Sequence, residues 1–239
     1  ALALAGDIVE TISGMPYAEY IHHHSLDPLG MKNTSVFLPA AHRSLLATGY
    51  GRRMPDGTRR KHPFTDSKGL TPAANLTSNI EDLAKFASVQ FRQGLAGGRQ
   101  ILKESTLREM HRVHWLEPDW SGGRGLGFGV WRLDGRTLVG HGGHVAGYTT
   151  QLAFCPEEKI AILIMTNADD GEARTLAERL YTLFAPAILK ALPSPAKPVL
   201  PLEQWKKYVG KYRSLWSDSQ ILILNGELVM VNPAQENIQ

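Results

Sequence analysis

Apolar residues recur along this chain at two different periods, and the period changes after "WSGGRG". Before that point the spacing is helical. In "ALALAGDIVETISG", Leu2, Leu4, Ile8, Val9 and Ile12 fall mostly on one helical face, and Gly14 supplies a stop signal. Pro16 opens a second helical stretch, "PYAEYIHHHSLDPLG", which ends by Pro28 and Gly30. From there to about Gly69 the abundance of Pro, Gly and Arg predicts loops with short strands. The clearest helix is "TSNIEDLAKFASVQFRQG": Ser78 can cap it, Glu81 completes a capping box, and Ile80, Leu83, Ala84, Ala87 and Phe91 form the apolar stripe. "LKESTLREMHRV" repeats the pattern, with Ser105 near its start.

Beyond "WSGGRG", the segments "LGFGVWRL", "TLVGHGG", "YTTQLAFCP" and "IAILIMTN" read as successive strands. Turns at Asp134-Gly135 and Pro156-Glu157-Glu158 join them closely enough to make them antiparallel. The run Ile160 to Met165 is apolar on both faces, which predicts a strand covered on both sides. "EARTLAERLYTLFAPAIL" then forms a helix able to pack across the sheet. Helices, a run of strands and a closing helix predict an α+β fold. Residues 1–190 form the main domain, and the proline-rich 191–201 are a linker. Residues 202–239 begin a small β domain around a hairpin turning at Asn225-Gly226.

Composition narrows the chemistry by exclusion. The formal charge of the 239 residues is +3, and the densest cations, Arg52, Arg53, Arg59, Arg60 and Lys61, surround the turn "PDGT". That is a solvated hairpin loop and not a nucleic-acid-binding stripe. No apolar run is long enough for a transmembrane helix. A single cysteine, Cys155, rules out an internal disulfide and a cysteine-based zinc site, and without a paired base it is a poor nucleophile. His22, His23 and His24 point in three directions on a helix and cannot converge on one metal ion. His111 and His114, three residues apart, fit a solvated helix face.

One stretch stands out chemically: "GHGGHVAGY", residues 140–148, followed by "TTQLAFCPEEKIAILIMTN". Together with "GDIVETISGMPYAEYIHHHSLDPLGMKNT", "LTPAANLTSNIEDLAKF" and "GLGFGV", in that order, it resembles the serine β-lactamase and penicillin-binding-protein group. The likeness runs from about Gly6 to Phe184 and is greatest to the class C branch, with its related esterases, D-aminopeptidases and D-Ala-D-Ala peptidases. The segment after the linker is similar to the lipocalin-like C-terminal domain of some of these hydrolases.

The resemblance implies a β-lactamase/transpeptidase-like antiparallel sheet flanked by helices, with a helical subdomain. It implies acyl transfer through three elements: Ser-x-x-Lys, Tyr-x-Asn and Lys/His-x-Gly. His141-Gly142-Gly143 matches the third, with His141 recognising a substrate carboxylate and supporting the site electrostatically. Gly142 and Gly143 would let substrate approach the backbone, the N–H of His144 would be an oxyanion donor, and Tyr148 and Thr150 would line or support the site. Asn75 stands where the family generally has glycine.

The first two elements are missing. Ser194-Pro195-Ala196-Lys197 has the right spacing but lies in the linker, Thr65-Asp66-Ser67-Lys68 has threonine for serine, and no tyrosine is followed two places on by asparagine. The expectation is therefore a piece of a serine hydrolase whose nucleophile precedes Ala1, inactive alone, with no metal or cofactor. Its substrate would be a small molecule or peptide: a D-amino-acid peptide, an ester or a β-lactam. Without the missing segment the edge at Ile160–Asn167 would invite self-association or a complementing chain. The resemblance slightly favours a periplasmic or extracellular setting. The alternative is a non-catalytic module on the same scaffold, binding peptidoglycan peptides or a protein.

Overall fold

A computed structural model describes residues 1–92, 99–192, 202–215, 217–224 and 227–232. The chain divides into two compact units, Ala1–Lys190 and Ala191–Gln239. The first is α+β, as its patterning predicts. Its helices are α1 (Leu2–Ser13), α2 (Tyr17–Ile21), α3 (Asp27–Leu29), α4 (Thr71–Ala74), α5 (Ile80–Val89), α6 (Glu104–His111) and α7 (Ala173–Ala191). Six strands, β1 (Trp115–Leu116), β2 (Gly122–Arg124), β3 (Gly129–Leu133), β4 (Arg136–Val145), β5 (Tyr148–Cys155) and β6 (Ile160–Thr166), form one antiparallel sheet in sequence order.

Strand alternation sends apolar side chains to both faces of this sheet, and each face has its own cover. On one, Leu138, Cys155 and Ile160 pack with Trp131 and Ile162 against Tyr181, Ala185 and Leu189 of α7. On the other, Val130, Val139 and Phe154 meet Phe128, Phe86 of α5, Phe91 and Met110 of α6. The Phe128 and Phe154 rings meet edge to face at 5.6 Å, a geometry aromatic quadrupoles favour. Tyr181 is fully buried, but its hydroxyl reaches Glu158 at 2.6 Å, and Glu158 in turn pairs with Arg136 at 2.7 Å. Burial and the facing carboxylate push the Tyr181 phenol well above its ordinary range.

Several expectations are corrected. The α5 cap is Asn79, whose side-chain oxygen accepts the Asp82 N–H at 2.9 Å, because the Ser78 hydroxyl is engaged with Thr34. The buried face of α5 centres on Asp82, Ala87 and Val89, while Ile80 and Ala84 are exposed. Asp82 tolerates burial because Asn33 N–H, Thr34 Oγ1 and Lys85 Nζ all satisfy its carboxylate; these partners outweigh desolvation and lower its pKa. His111 does not lie on a solvated face: it is half buried against Phe128 and Phe154, bonded to Gln90, and desolvation lowers its pKa. The "HHHSL" stretch is a turn of π-helix between α2 and α3, with His22 paired to Asp27 at 3.1 Å.

The apolar face of α1 is also not the one that packs. Leu2, Leu4, Ile8 and Ile12 are exposed, and contact with α4 is made through Gly6, where an added Cβ would lie 2.2 Å from Pro72 Cγ. β6 is only half covered and pairs with β5 alone among the described strands.

The second unit contains α8 (Leu202–Lys206) and an antiparallel sheet of β7 (Gly210–Arg213), β8 (Asp218–Leu224) and β9 (Glu227–Val231). The expected turn at Asn225-Gly226 and the Ser194–Lys197 spacing lie outside the described residues.

Candidate active site

Two-residue turns close both hairpins that involve β4. Leu133 pairs with Arg136 across Asp134-Gly135, and Val145 pairs with Tyr148 across Ala146-Gly147. Residues of an antiparallel pair alternate between bonding to each other and pointing their amides outward. Counting from either turn gives one result. Gly140 bonds toward β3, whereas Gly142 and His144 point their N–H and C=O groups away from β5. Yet β3 begins at Gly129, the partner of Gly140, so no described strand covers that side of β4 beyond residue 140. Residues 141–144 are all exposed, in contrast to the buried Leu138, Val139 and Gly140 just before them. The result is a short open edge carrying two outward amide donors on a strand paired to β5 along its other side.

The side chains separate by face. His141 and Gly143 share the Val139 face, toward the α5–α6 layer, and the His141 imidazole meets no described partner. Gly142 and His144 share the α7 face. There a shallow depression of about 320 Å³ is lined by Gly142, Gly143, His144, Thr150, Gln151 and residues 171–175 at the start of α7. β5 crowds Gly143, where a Cβ would stand 2.6 Å from Thr150 Oγ1, whereas a Cβ on Gly142 would meet the flexible end of Gln151, at 2.9 Å from Oε1.

The turn that follows is anchored from outside the sheet. Gly147 has φ +88°, and a Cβ there would lie 2.7 Å from Gly49 Cα. Tyr148 donates its hydroxyl to the carbonyl of Ala47 and packs on Gly49, and burial raises its phenol pKa. Thr149 donates to the carbonyl of Ala168 at 2.9 Å. Asn167 ends β6, donating to the Thr48 carbonyl and accepting the Tyr50 N–H, so its polar atoms brace a loop. Sequence reasoning passed over Asp169 and His62, which carry no motif. Asp169 accepts the Gly147 N–H at 2.5 Å and meets His62 Nε2 at 3.0 Å, with His144 Nε2 at 3.7 Å. The Gly147 amide, then His62 and His144, hold the Asp169 carboxyl below the ordinary carboxylate range. Among the described residues no three His, Cys, Asp or Glu side chains are grouped to hold a metal ion.

Other candidates resolve as structural. Asn75 is buried, donating to the Val36 carbonyl and accepting the Ser67 N–H, so it ties two loops together where glycine could not. The Thr65–Lys68 stretch is loop leading into a single 3-10 turn, with Lys68 at φ +50° and paired to Asp66. Cys155 is buried in the α7-facing core.

The family model "Beta-lactamase" matches residues 1–185. The chain belongs to the beta-lactamase family. A human beta-lactamase-like protein is 25% identical over 189 residues, covering 76% of this chain and 36% of that protein. Among solved structures, the octameric penicillin-binding protein homologue from Pyrococcus abyssi has a TM-score of 0.64 at 24% identity. It covers 98% of this chain and 54% of its own. The D-amino acid amidase from Ochrobactrum anthropi has a TM-score of 0.62 at 25% identity, with coverage of 79% and 56%. The chain thus spans about a third of the length of the human relative and just over half of the two solved chains. Its fold is that of the β-lactamase/transpeptidase-like group, shared with the penicillin-binding protein homologue and the D-amino acid amidase. Among the described residues no helix is long and apolar enough to cross a membrane.

Proposed function

We propose that residues 141–144 of this chain form the substrate-side wall of a serine hydrolase that cleaves amide or ester bonds through an acyl-serine intermediate. The observation carrying this is the uncovered edge of β4 with the His144 amide turned onto it. When a serine hydroxyl attacks a carbonyl, an electron pair moves onto the carbonyl oxygen. A fixed N–H aimed at that oxygen stabilises the developing charge by about 3 kcal/mol. Gly142 and Gly143 keep the wall flat enough for substrate to lie along the strand. His141, exposed and on the face toward the helical layer, would in this reading meet an anionic substrate group and support the site electrostatically. Tyr148 enters this reading as a support of the turn, through its bond to Ala47.

The nucleophile is assigned to polypeptide other than these 239 residues, because among the described residues neither Ser-x-x-Lys nor Tyr-x-Asn stands beside β4. The side of β6 that no described strand covers would take a complementing segment or a second copy. The substrate class is a D-amino-acid amide or peptide, an ester or a β-lactam, in keeping with a neighbour that is a D-amino acid amidase.

Assays with nitrocefin, p-nitrophenyl butyrate and D-phenylalanine amide test this. The 239-residue chain alone is expected to give no saturable turnover. The chain extended by the coding sequence upstream, if that encodes Ser-x-x-Lys, is expected to hydrolyse at least one. In the extended protein His144→Pro removes one outward N–H without breaking the ladder to β5. It should lower kcat by about 10²-fold while KM stays near its original value. Turnover with an acylated residue in the short chain, or an undiminished kcat in the proline variant, rejects the assignment.

A further inference from the structure

We propose that Asp169 is a positioning residue for the oxyanion-binding edge: its carboxylate fixes the β4–β5 turn and thereby aims the His144 amide. The inference rests on the acyl-transfer reading for its purpose, but its geometry stands alone.

Three segments distant in sequence meet at this one side chain. Asp169 lies just past β6 in a loop whose backbone is itself fixed, since its N–H donates to the Tyr50 carbonyl at 2.9 Å. One carboxylate oxygen accepts the Gly147 N–H; the other meets His62 Nε2. His62 is held in turn, because its N–H donates to the Gly49 carbonyl at 2.9 Å. Gly49 is also the residue against which Gly147 packs at the distance only a glycine allows. The turn is therefore gripped on one side by backbone and on the other by an ionised carboxylate.

The amide bonded by Asp169 is three residues beyond the His144 N–H, across one turn residue and the last ladder pair, Val145↔Tyr148. β3 has already ended here, so beyond the ladder to β5 the described contacts of this turn are those with Asp169 and with the segment around Gly49. A turn released from Asp169 would rock about the β5 ladder and swing the outward amides with it. Donor misplacement of about 1 Å is enough to cost on the order of 10²-fold in rate. The His144 imidazole lies near the same carboxylate, with Nε2 3.7 Å from it, so the residue whose amide is being aimed also faces Asp169. The alternative use of such a cluster, a metal site, lacks a third converging ligand among the described residues.

Asp169→Ala and Asp169→Asn separate positioning from mere stability. Asparagine keeps an oxygen for the Gly147 N–H, whereas alanine removes it. In 15N-labelled 239-residue chain, alanine is expected to move the Gly147 and His144 amide resonances. It should also speed Gly147 hydrogen exchange by about tenfold or more, with amides of β1 and β2 unchanged. Asparagine should restore most of both. In the extended protein, alanine should lower kcat about tenfold or more with KM within about twofold, again with recovery by asparagine.

A His144 resonance that stays in place in alanine overturns the inference, as does an equal loss in both variants. Should alanine not fold, acid titration of the unaltered chain decides: the Gly147 and His144 amides must move together as Asp169 protonates, and a stationary His144 refutes the proposal. If the resonances behave as expected but the extended protein hydrolyses nothing, the positioning geometry holds and the hydrolase reading fails.

Discussion

Gly142 and Gly143 stand out in the sequence as positions where substrate could approach backbone, but the structure adds a reason that has nothing to do with substrate. Thr150 and Gln151 on β5 already occupy the space that side chains on these glycines would need. Gly143→Ala should therefore destabilise the folded chain by about 1–3 kcal/mol, the usual range for overpacking. Thr150→Ala removes the Oγ1 that clashes and should recover much of that cost in the double variant. Urea unfolding of the four proteins in this cycle measures the coupling; additive costs would show that the crowding does not matter. The catalytic histidine candidates were legible as residue types in a glycine strand. Asp169 was not, because the Asp169-Asp170 pair after a strand carries no local motif and Asp169 meets its partners only from more than twenty positions away.

At the scale of elements, α1 shows how a helical stripe can be read correctly as helix and wrongly as interface. Its period gives Leu2–Ser13, yet the close contact uses Gly6, the smallest residue on the helix. Gly6→Ala would gain about 1 kcal/mol of intrinsic helix propensity. It would also drive a methyl into Pro72, so a net loss of roughly 1–2 kcal/mol is expected, observable as a lower urea midpoint. A second element, the loop 47–62, is held to the end of β6 by acids. Asp170 pairs with Arg59 and accepts the Arg53 N–H, and its pKa is lowered from 3.8 to about 2, first by Arg59 and then by Arg53. A depressed carboxylate supports the fold above its unfolded pKa and loses that support as pH falls through the folded value. The loop's anchorage should therefore persist at pH 5 and weaken between about pH 4 and pH 2. Hydrogen exchange at Tyr50 and His62 reads this, and release already complete at pH 5 would contradict it.

For the molecule as a whole, both apolar clusters draw every residue from Ala1–Lys190. We therefore expect a chain ending at Leu192 to keep the six-stranded sheet, with a melting temperature within a few degrees of the parent. Loss of cooperative unfolding in that shortened chain would show that the second unit is needed for the first. The same separation makes 190/191 the domain boundary we propose, close to the proline-rich stretch that suggested it.

The sequence by itself determined the fold class, the order of helices and strands, the Asp134-Gly135 turn and the His141-Gly142-Gly143 element. Each of these is written in local period, turn chemistry or a short motif. Only tertiary structure decided which side of β4 lies open, because that depends on where β3 stops in the register. It also decided which helix faces pack, since burial of Asp82 and exposure of Ile8 and Ile12 are set by partners far away in the chain. The gathering of Asp169, His62 and Gly147 around one turn belongs to the same class. Local spacing can specify an element, but a carboxylate's partners are chosen by the fold that brings them within hydrogen-bonding distance.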